Sequence, residues 1–293
     1  MSRSRFLFPT LGALCLAGLA ACGGGPAPAT VPSGTPPKAS AAAATSASAA
    51  PEATAQPKSR VDLLEGKVTD PPAKLPVVQL EAPGADSVVA AHYAQDYRVR
   101  FSVANLEKMP EGSFVQLVLD GVPFRPVRDL KEAIKLRDLG PGGQAIAEGE
   151  HVLGAYVARS SREAIRGAKG VGVSRFWVGK KTGDSWKPGD PMLIVGSPAG
   201  SYEGEASQEI LLDYYLVNAA LGAKDYSIRA VLHGPGIAAE GIERLMTEWK
   251  PVLVWSAPEG SYSIEATLLD PRGQPVKNPW NPIKLPFTVA GHK

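Results

Sequence analysis

The side chains able to do chemistry are few and poorly grouped. Four histidines, His92, His151, His233 and His292, are too scattered for a His-x₃-His or His-Glu-x-x-His zinc motif. His151 falls inside an apolar, strand-like run and His233 just before Gly234, where packing or solvent exposure explains a histidine better than ligation or base catalysis. No Gly-x-Ser-x-Gly elbow marks a nucleophilic serine. Gly167-Ala168-Lys169-Gly170-Val171-Gly172 has a phosphate loop's glycines but neither the Gly-Lys-Ser/Thr ending nor a following helix, so it reads as a flexible loop. The pairs Glu203/Glu205 and Asp184/Asp190 lack the dense Asp-x-Asp pattern of calcium loops, which leaves calcium between domains as a minor reading. The sequence therefore predicts no catalytic residue, no metal and no cofactor, and the chain is not expected to be an enzyme.

Aromatic side chains offer binding rather than reaction. Trp177, Trp249 and Trp255 sit in or beside apolar segments and are expected in cores. Trp186 and Trp280 lie in loop-like stretches rich in Gly, Pro and Asn. Both are candidates for stacking on a sugar or anchoring a partner, although pinning a domain junction or closing the end of a sandwich is the preferred role.

Cys15 and Cys22 are the only cysteines, and both lie in the N-terminal apolar region, so the folded part can have no disulfide and no thiolate metal site. Arg3 and Arg5 precede an apolar stretch from Phe6 to Ala20, and Leu19-Ala20-Ala21-Cys22 closes it. The stretch is shorter than the roughly 20 apolar residues of a transmembrane helix. Its Leu-Ala-Ala-Cys ending resembles the lipobox of bacterial lipoproteins. That resemblance implies removal of residues 1–21 as a signal peptide and attachment of diacylglycerol to the Cys22 thiol. Each buried acyl CH₂ contributes about 0.8 kcal/mol, so several chains hold such a protein to a bilayer. Gly23 after the cysteine, by resemblance to enterobacterial sorting, points to the outer membrane.

Residues 22–59 are nearly all Ala, Pro, Ser, Thr and Gly, with Lys38, Glu52 and Lys58 the only charges, and are expected to be a disordered tether. Residues 60–73 read as a linker. Removing Arg3 and Arg5 from the 31 basic residues leaves 29 against 29 acidic ones, a balance that steers the chain neither to nucleic acid nor to acidic lipid.

The remainder repeats itself. Ser102–Gly121 and Tyr215–Gly234 align without a gap, matching at Asn105/Asn218, Val118/Val231, Leu119/Leu232 and Gly121/Gly234. Pro83 and Pro198, and Glu148-Gly149 and Glu259-Gly260, recur at nearly the same offset. Within each copy the signals are those of strands. Tyr97, Val99, Phe101 and Val103 alternate with polar residues, and Phe114-Val115-Gln116-Leu117-Val118-Leu119 ends at the turn dipeptide Asp120-Gly121. Asp129–Leu139 and Glu240–Trp249 break the pattern, as short helical crossovers or irregular strands. The spacing of strands predicts an all-β protein of two tandem antiparallel sandwiches, 74–182 and 190–293, joined by a linker at 183–189.

The opening Val77-Val78-Gln79-Leu80-Glu81-Ala82-Pro83, the Leu119-Asp120-Gly121 turn and Glu148-Gly149-Glu150-His151-Val152-Leu153 resemble bacterial immunoglobulin-like domains of surface lipoproteins, and the whole is similar to tandem lipoproteins of myxobacterial type. The resemblance implies a fold and a display role, with no site residues to transfer. A lipid-anchored binding or display module for an envelope protein or polysaccharide is the first expectation; a structural spacer or scaffold is the second, and a cell-wall hydrolase the third. Cys22→Ser is expected to abolish incorporation of a labelled fatty acid, since no other lipid acceptor is available; undiminished label would end the lipoprotein reading.

Overall fold

The computed structural model describes residues 61–291. The expected signal peptide, Cys22 and the whole tether region 22–59, together with His292, lie outside the described residues. Strand β1 (Asp62–Glu65) is followed inside the stretch 74–182 by β2 (Val77–Ala82), β3 (Ser87–Val89), β4 (Arg100–Ala104), β5 (Phe114–Leu119), β6 (Val122–Pro123), β7 (Gly149–Ala158) and β8 (Val171–Val178). Inside 190–293 lie β9 (Met192–Ser197), β10 (Gly200–Tyr202), β11 (Glu209–Val217), β12 (Ser227–His233), β13 (Ile242–Met246), β14 (Val252–Trp255), β15 (Gly260–Leu269) and β16 (Ile283–Val289).

The two units share one immunoglobulin-like topology. In the first, the antiparallel pair β2–β4 faces a sheet of order β3-β8-β7-β5-β6; in the second, β9–β11 faces a sheet of order β10-β16-β15-β12-β13. The short strands β3 and β10 each run parallel to the last strand of their unit. Asn105 and Asn218 both adopt left-handed backbone conformations at the end of a strand. Their amides donate to the carbonyls of Leu75 and Pro188, each 30 residues earlier in the chain. The recurring asparagine is thus a fastener: its side chain ties the end of an early strand to the chain entering that unit, and Asn tolerates the left-handed backbone. Of the two irregular stretches, the first holds a 3₁₀ turn at Leu136–Leu139 and the second is strand β13.

The sandwiches do not hang as separate beads. β12 and β16 alternate strictly between buried and more exposed residues, as a sheet with one wet face must. β5, the counterpart of β12, is buried at all six positions, and β9 likewise. The reason is that the β3-β8-β7-β5-β6 sheet has its outer face against the sheet β1-β14-β11-β9 of the second unit. Phe114, Val118, Val152 and Tyr156 from one side meet Met192, Ile194 and Tyr215 from the other. Two glycines permit this approach. A Cβ on Gly154 would stand 2.8 Å from Ile194 Cδ1, and one on Gly196 would overlap the Tyr156 hydroxyl.

The stretch 60–73, expected as a linker, does more than connect. β1 pairs antiparallel with β14, and so belongs to the second sandwich although it precedes the first in sequence. Val61 and Leu63 enter that sandwich's core, and Arg244 on β13 donates to the Leu63 carbonyl at 3.0 Å. The physical cause is that Val61 and Leu63, two positions apart, put two apolar side chains on one face of the strand, while Leu64 on the other face stays exposed. Beyond β1 the chain is fastened to the first sandwich, where Glu163 accepts from the Thr69 backbone N–H at 3.1 Å and Arg159 donates to the Asp70 carbonyl at 2.6 Å.

Trp186 is 2% exposed within this junction. Truncating it to alanine is expected to cost about 3–5 kcal/mol, read as a fall in the midpoint of a single denaturant transition reported alike by tryptophan fluorescence and circular dichroism. Two separated transitions in the unaltered chain would show instead that the sandwiches fold independently.

Candidate binding cleft at the junction

Where the two sandwiches meet, the loop before β8 and the end of β11 border a cleft of about 590 Å³ lined by Arg166, Val171, Val173, Tyr215, Asn218 and Trp249 among others. Tyr215 holds the loop in place: its hydroxyl accepts from the Gly167 N–H at 2.9 Å and donates to the Gly167 carbonyl at 2.5 Å. The Gly170 N–H is also taken up, by the Gly167 carbonyl at 2.9 Å. The glycine-rich segment thus spends these backbone donors on its own loop rather than presenting them to an anion.

Among the described residues that line the cleft, Arg166 is the charged one. Its Nη2 lies 2.6 Å from Asp213 Oδ1, and its guanidinium carbon stands 5.0 Å from the Trp249 ring centroid and 5.6 Å from that of Tyr214. Asp213, in the middle of β11, is fully buried and also accepts from the Ala164 N–H. Burial pushes its pKa from 3.8 up to about 6, against the opposing pull of Arg166 and of the backbone N–H donors. Trp249 lies edge-on to Tyr215 at 5.5 Å and parallel to Tyr214 at 6.2 Å. Trp249 Nε1 and Arg166 Nε are buried without a hydrogen-bond partner in the protein. The cleft therefore joins apolar walls to one cationic group whose partner carboxylate is sealed from solvent.

The tryptophans fall unevenly on this map. Trp186, a binding candidate by sequence, is buried in the junction core, where its Nε1 donates to the Asp190 carbonyl at 3.2 Å and its backbone N–H to Glu150 at 3.2 Å; it pins the junction and presents no face to a ligand. Trp280 is half-buried against the same core, beside a small crevice shared with Asp120, Met192 and Ile194. Trp177 is buried as expected, Trp249 half-buried, and Trp255, expected in a core, is 41% exposed on β14. Cys22 lies outside the described residues. The cleft residues Arg166, Asp213 and Tyr215 carry no motif. The one sequence signal was an aspartate set inside the apolar run Ile210-Leu211-Leu212-Asp213-Tyr214-Tyr215-Leu216-Val217. Among the described residues no group of three or more His, Cys, Asp or Glu side chains could hold a metal ion.

No family model matches the sequence, and no curated protein is significantly similar to it. Solved structures that overlap it include the fibronectin(III)-like modules of Clostridium thermocellum CbhA, 16% identical with a TM-score of 0.24, covering 73% of this chain and 94% of that one. Another is a membrane-anchored protein of Corynebacterium diphtheriae, 12% identical with a TM-score of 0.23, covering 75% of this chain and 59% of that one. The two tandem V-type regions of VCBP3, a chitin-binding protein, are 10% identical with a TM-score of 0.23, covering 74% of this chain and all of that one. At these scores the overlap is partial, and no function passes from those proteins to this one.

The buried carboxylate gives a signed prediction. A carboxyl whose pKa is raised on folding holds its proton more tightly folded than unfolded, so its contribution to stability is greatest below the unfolded value and is lost as pH rises through the folded one. Between pH about 4 and 6 the unfolding free energy of the unaltered chain should fall relative to that of Asp213→Asn. Parallel pH profiles for the two proteins would mean that Asp213 is ionised throughout.

Proposed function

We propose that this chain is a lipid-anchored protein of the bacterial cell envelope whose paired sandwiches hold a binding surface away from the membrane for a protein or polysaccharide partner, with no chemistry of its own. The anchor is Cys22, reached through the lipobox-like Leu19-Ala20-Ala21-Cys22. Among the described residues no helix is long and apolar enough to cross a membrane. The outer membrane is the preferred location, on the strength of Gly23.

One observation carries the binding reading: the junction cleft, where apolar walls and the Arg166 guanidinium converge on one concave surface. A pocket with apolar sides and a few fixed polar groups suits a ligand that buries flat surface and offers an acceptor to the guanidinium. A spacer without a partner is the second reading, favoured by the packed junction core, which would make the body stiff. The two are separated by placing a photoreactive residue in the full chain either at Val173, in the cleft, or at Lys284, on the exposed face of β16, and irradiating intact envelopes. Cross-linked species concentrated at Val173 support the binding cleft. Equal labelling at both sites, or none at either, supports the spacer.

A further inference from the structure

The two copies of the sandwich differ at one corner. In the second, the Tyr262 hydroxyl donates to the carbonyl of Pro258, four residues earlier, at 2.9 Å, and its ring stacks on Phe287 at 5.4 Å. This is a tyrosine corner, a device that pins the start of a strand to the loop leading into it. At the matching place in the first sandwich stands His151. Its Nε2 lies 2.9 Å from the carbonyl of Ala147, again four residues earlier, and its ring stacks on Phe176 at 5.5 Å. The register agrees: Gly149 pairs with Val178 as Gly260 pairs with Val289, and His151 with Phe176 as Tyr262 with Phe287.

The histidine does something a tyrosine cannot. Its second nitrogen, Nδ1, lies 2.6 Å from Asp120 Oδ2, so both ring nitrogens face acceptors. A neutral imidazole has one N–H and can satisfy one of them; only the doubly protonated ring satisfies both. The ring is 7% exposed, which leaves little room for water to replace a lost bond. Asp120 is itself fixed, accepting from the Val152 N–H at 2.8 Å while its own N–H donates to the Val152 carbonyl at 3.0 Å. The turn it opens, Asp120-Gly121, reaches the second sandwich: a Cβ on Gly121 would stand 3.4 Å from Ile283, and Asp120 and Gly121 share the crevice lined by Trp280, Met192 and Ile194.

We propose that His151 is a pH-responsive fastener: as an imidazolium it clamps the Asp120-Gly121 turn against the loop at Ala147, and on losing its proton it releases one side of that clamp, next to the junction with the second sandwich. The charged groups acting on the ring are Asp120, from the β5–β6 turn, and Glu150, beside it on β7; both are acidic. Burial pulls the ring's pKa down, but the Asp120 hydrogen bond and charge, the Ala147 carbonyl and Glu150 together lift it above its ordinary 6.5. A histidine with a raised pKa contributes stability that is complete below its unfolded value and lost as pH rises through the folded one. That window lies above the range in which Asp213 titrates, so the two groups can be told apart.

The test uses the full chain in detergent micelles. The melting temperature of the unaltered protein is expected to fall by roughly 2–4 °C more than that of His151→Tyr as pH is raised from about 6.5 to 8.5, the shift expected for one lost hydrogen bond in a body of this size. His151→Tyr restores the residue that the second sandwich uses, and should remove this part of the pH dependence. Because the substitution could disturb the fold, the ring nitrogens of His151 are also to be followed by NMR in the unaltered protein. Both should be protonated at pH 6.5. A neutral ring at that pH, or equal slopes for the two proteins, would overturn the proposal.

Discussion

Burial of the outer face of one sheet against its neighbour is the constraint on which the rest of this structure depends. An immunoglobulin-like sandwich normally leaves the outer faces of both sheets in water. Here the outward residues of β5, β7, β9 and β11 are buried and mostly apolar, with Gln116 and Asp213 as polar members, so neither sheet could stand exposed without presenting a large apolar surface. Each supplies the other's cover. Gly154 and Gly196 bring the sheets close, Tyr156, Trp186 and Tyr215 fill the space between them, and β1 extends the second sheet along one side. The body is therefore a stack of four β layers, in which the polypeptide enters through the second sandwich, builds the first, and returns.

Charge is admitted to this interface only in matched form. Asp213 is met by Arg166, and Arg175, buried in β8, reaches Asp86 on one side and Asp184 and the Trp186 carbonyl on the other. Removing one member of such a pair leaves an uncompensated buried ion, which costs more than the pair contributes. These bonds act mainly as registration: they reward one alignment of the connector and of the two sheets over a slipped alternative of similar apolar area. The cleft is a consequence, since its cation is the partly buried end of a pair whose other half belongs to the packing.

Much of this was legible in the residues, and what was not has physical causes. Alternation of apolar and polar residues located β4, and the recurrence of Asn105 and Asn218 located the duplication, because each requires a left-handed backbone and a nearby carbonyl. Face-to-face packing was visible in principle: the run Phe114–Leu119, apolar but for Gln116, has no solvent face, whereas its counterpart Ser227–His233 does. A strand apolar on both faces does not disclose its cover, so the junction itself could not be read. β1 escaped because two leucines between acidic residues give too short a period to distinguish a strand from a connector. Arg166, Asp213 and Trp249 are brought together by topology from three separate segments, and no spacing in the sequence encodes their meeting. Loop composition made Trp186 a binding candidate, with pinning a junction its preferred role; a large aromatic ring in a short connector between two apolar sheets is drawn into the gap they leave.

The central claim is that the two sandwiches form one fixed body rather than two domains on a hinge. Spin labels at Lys131 on the first sandwich and Arg272 on the second, both exposed, would read this directly through the distance distribution between them. A packed junction predicts one narrow distribution that broadens when Trp186 is replaced by alanine. A broad or multiple distribution in the unaltered chain would contradict it.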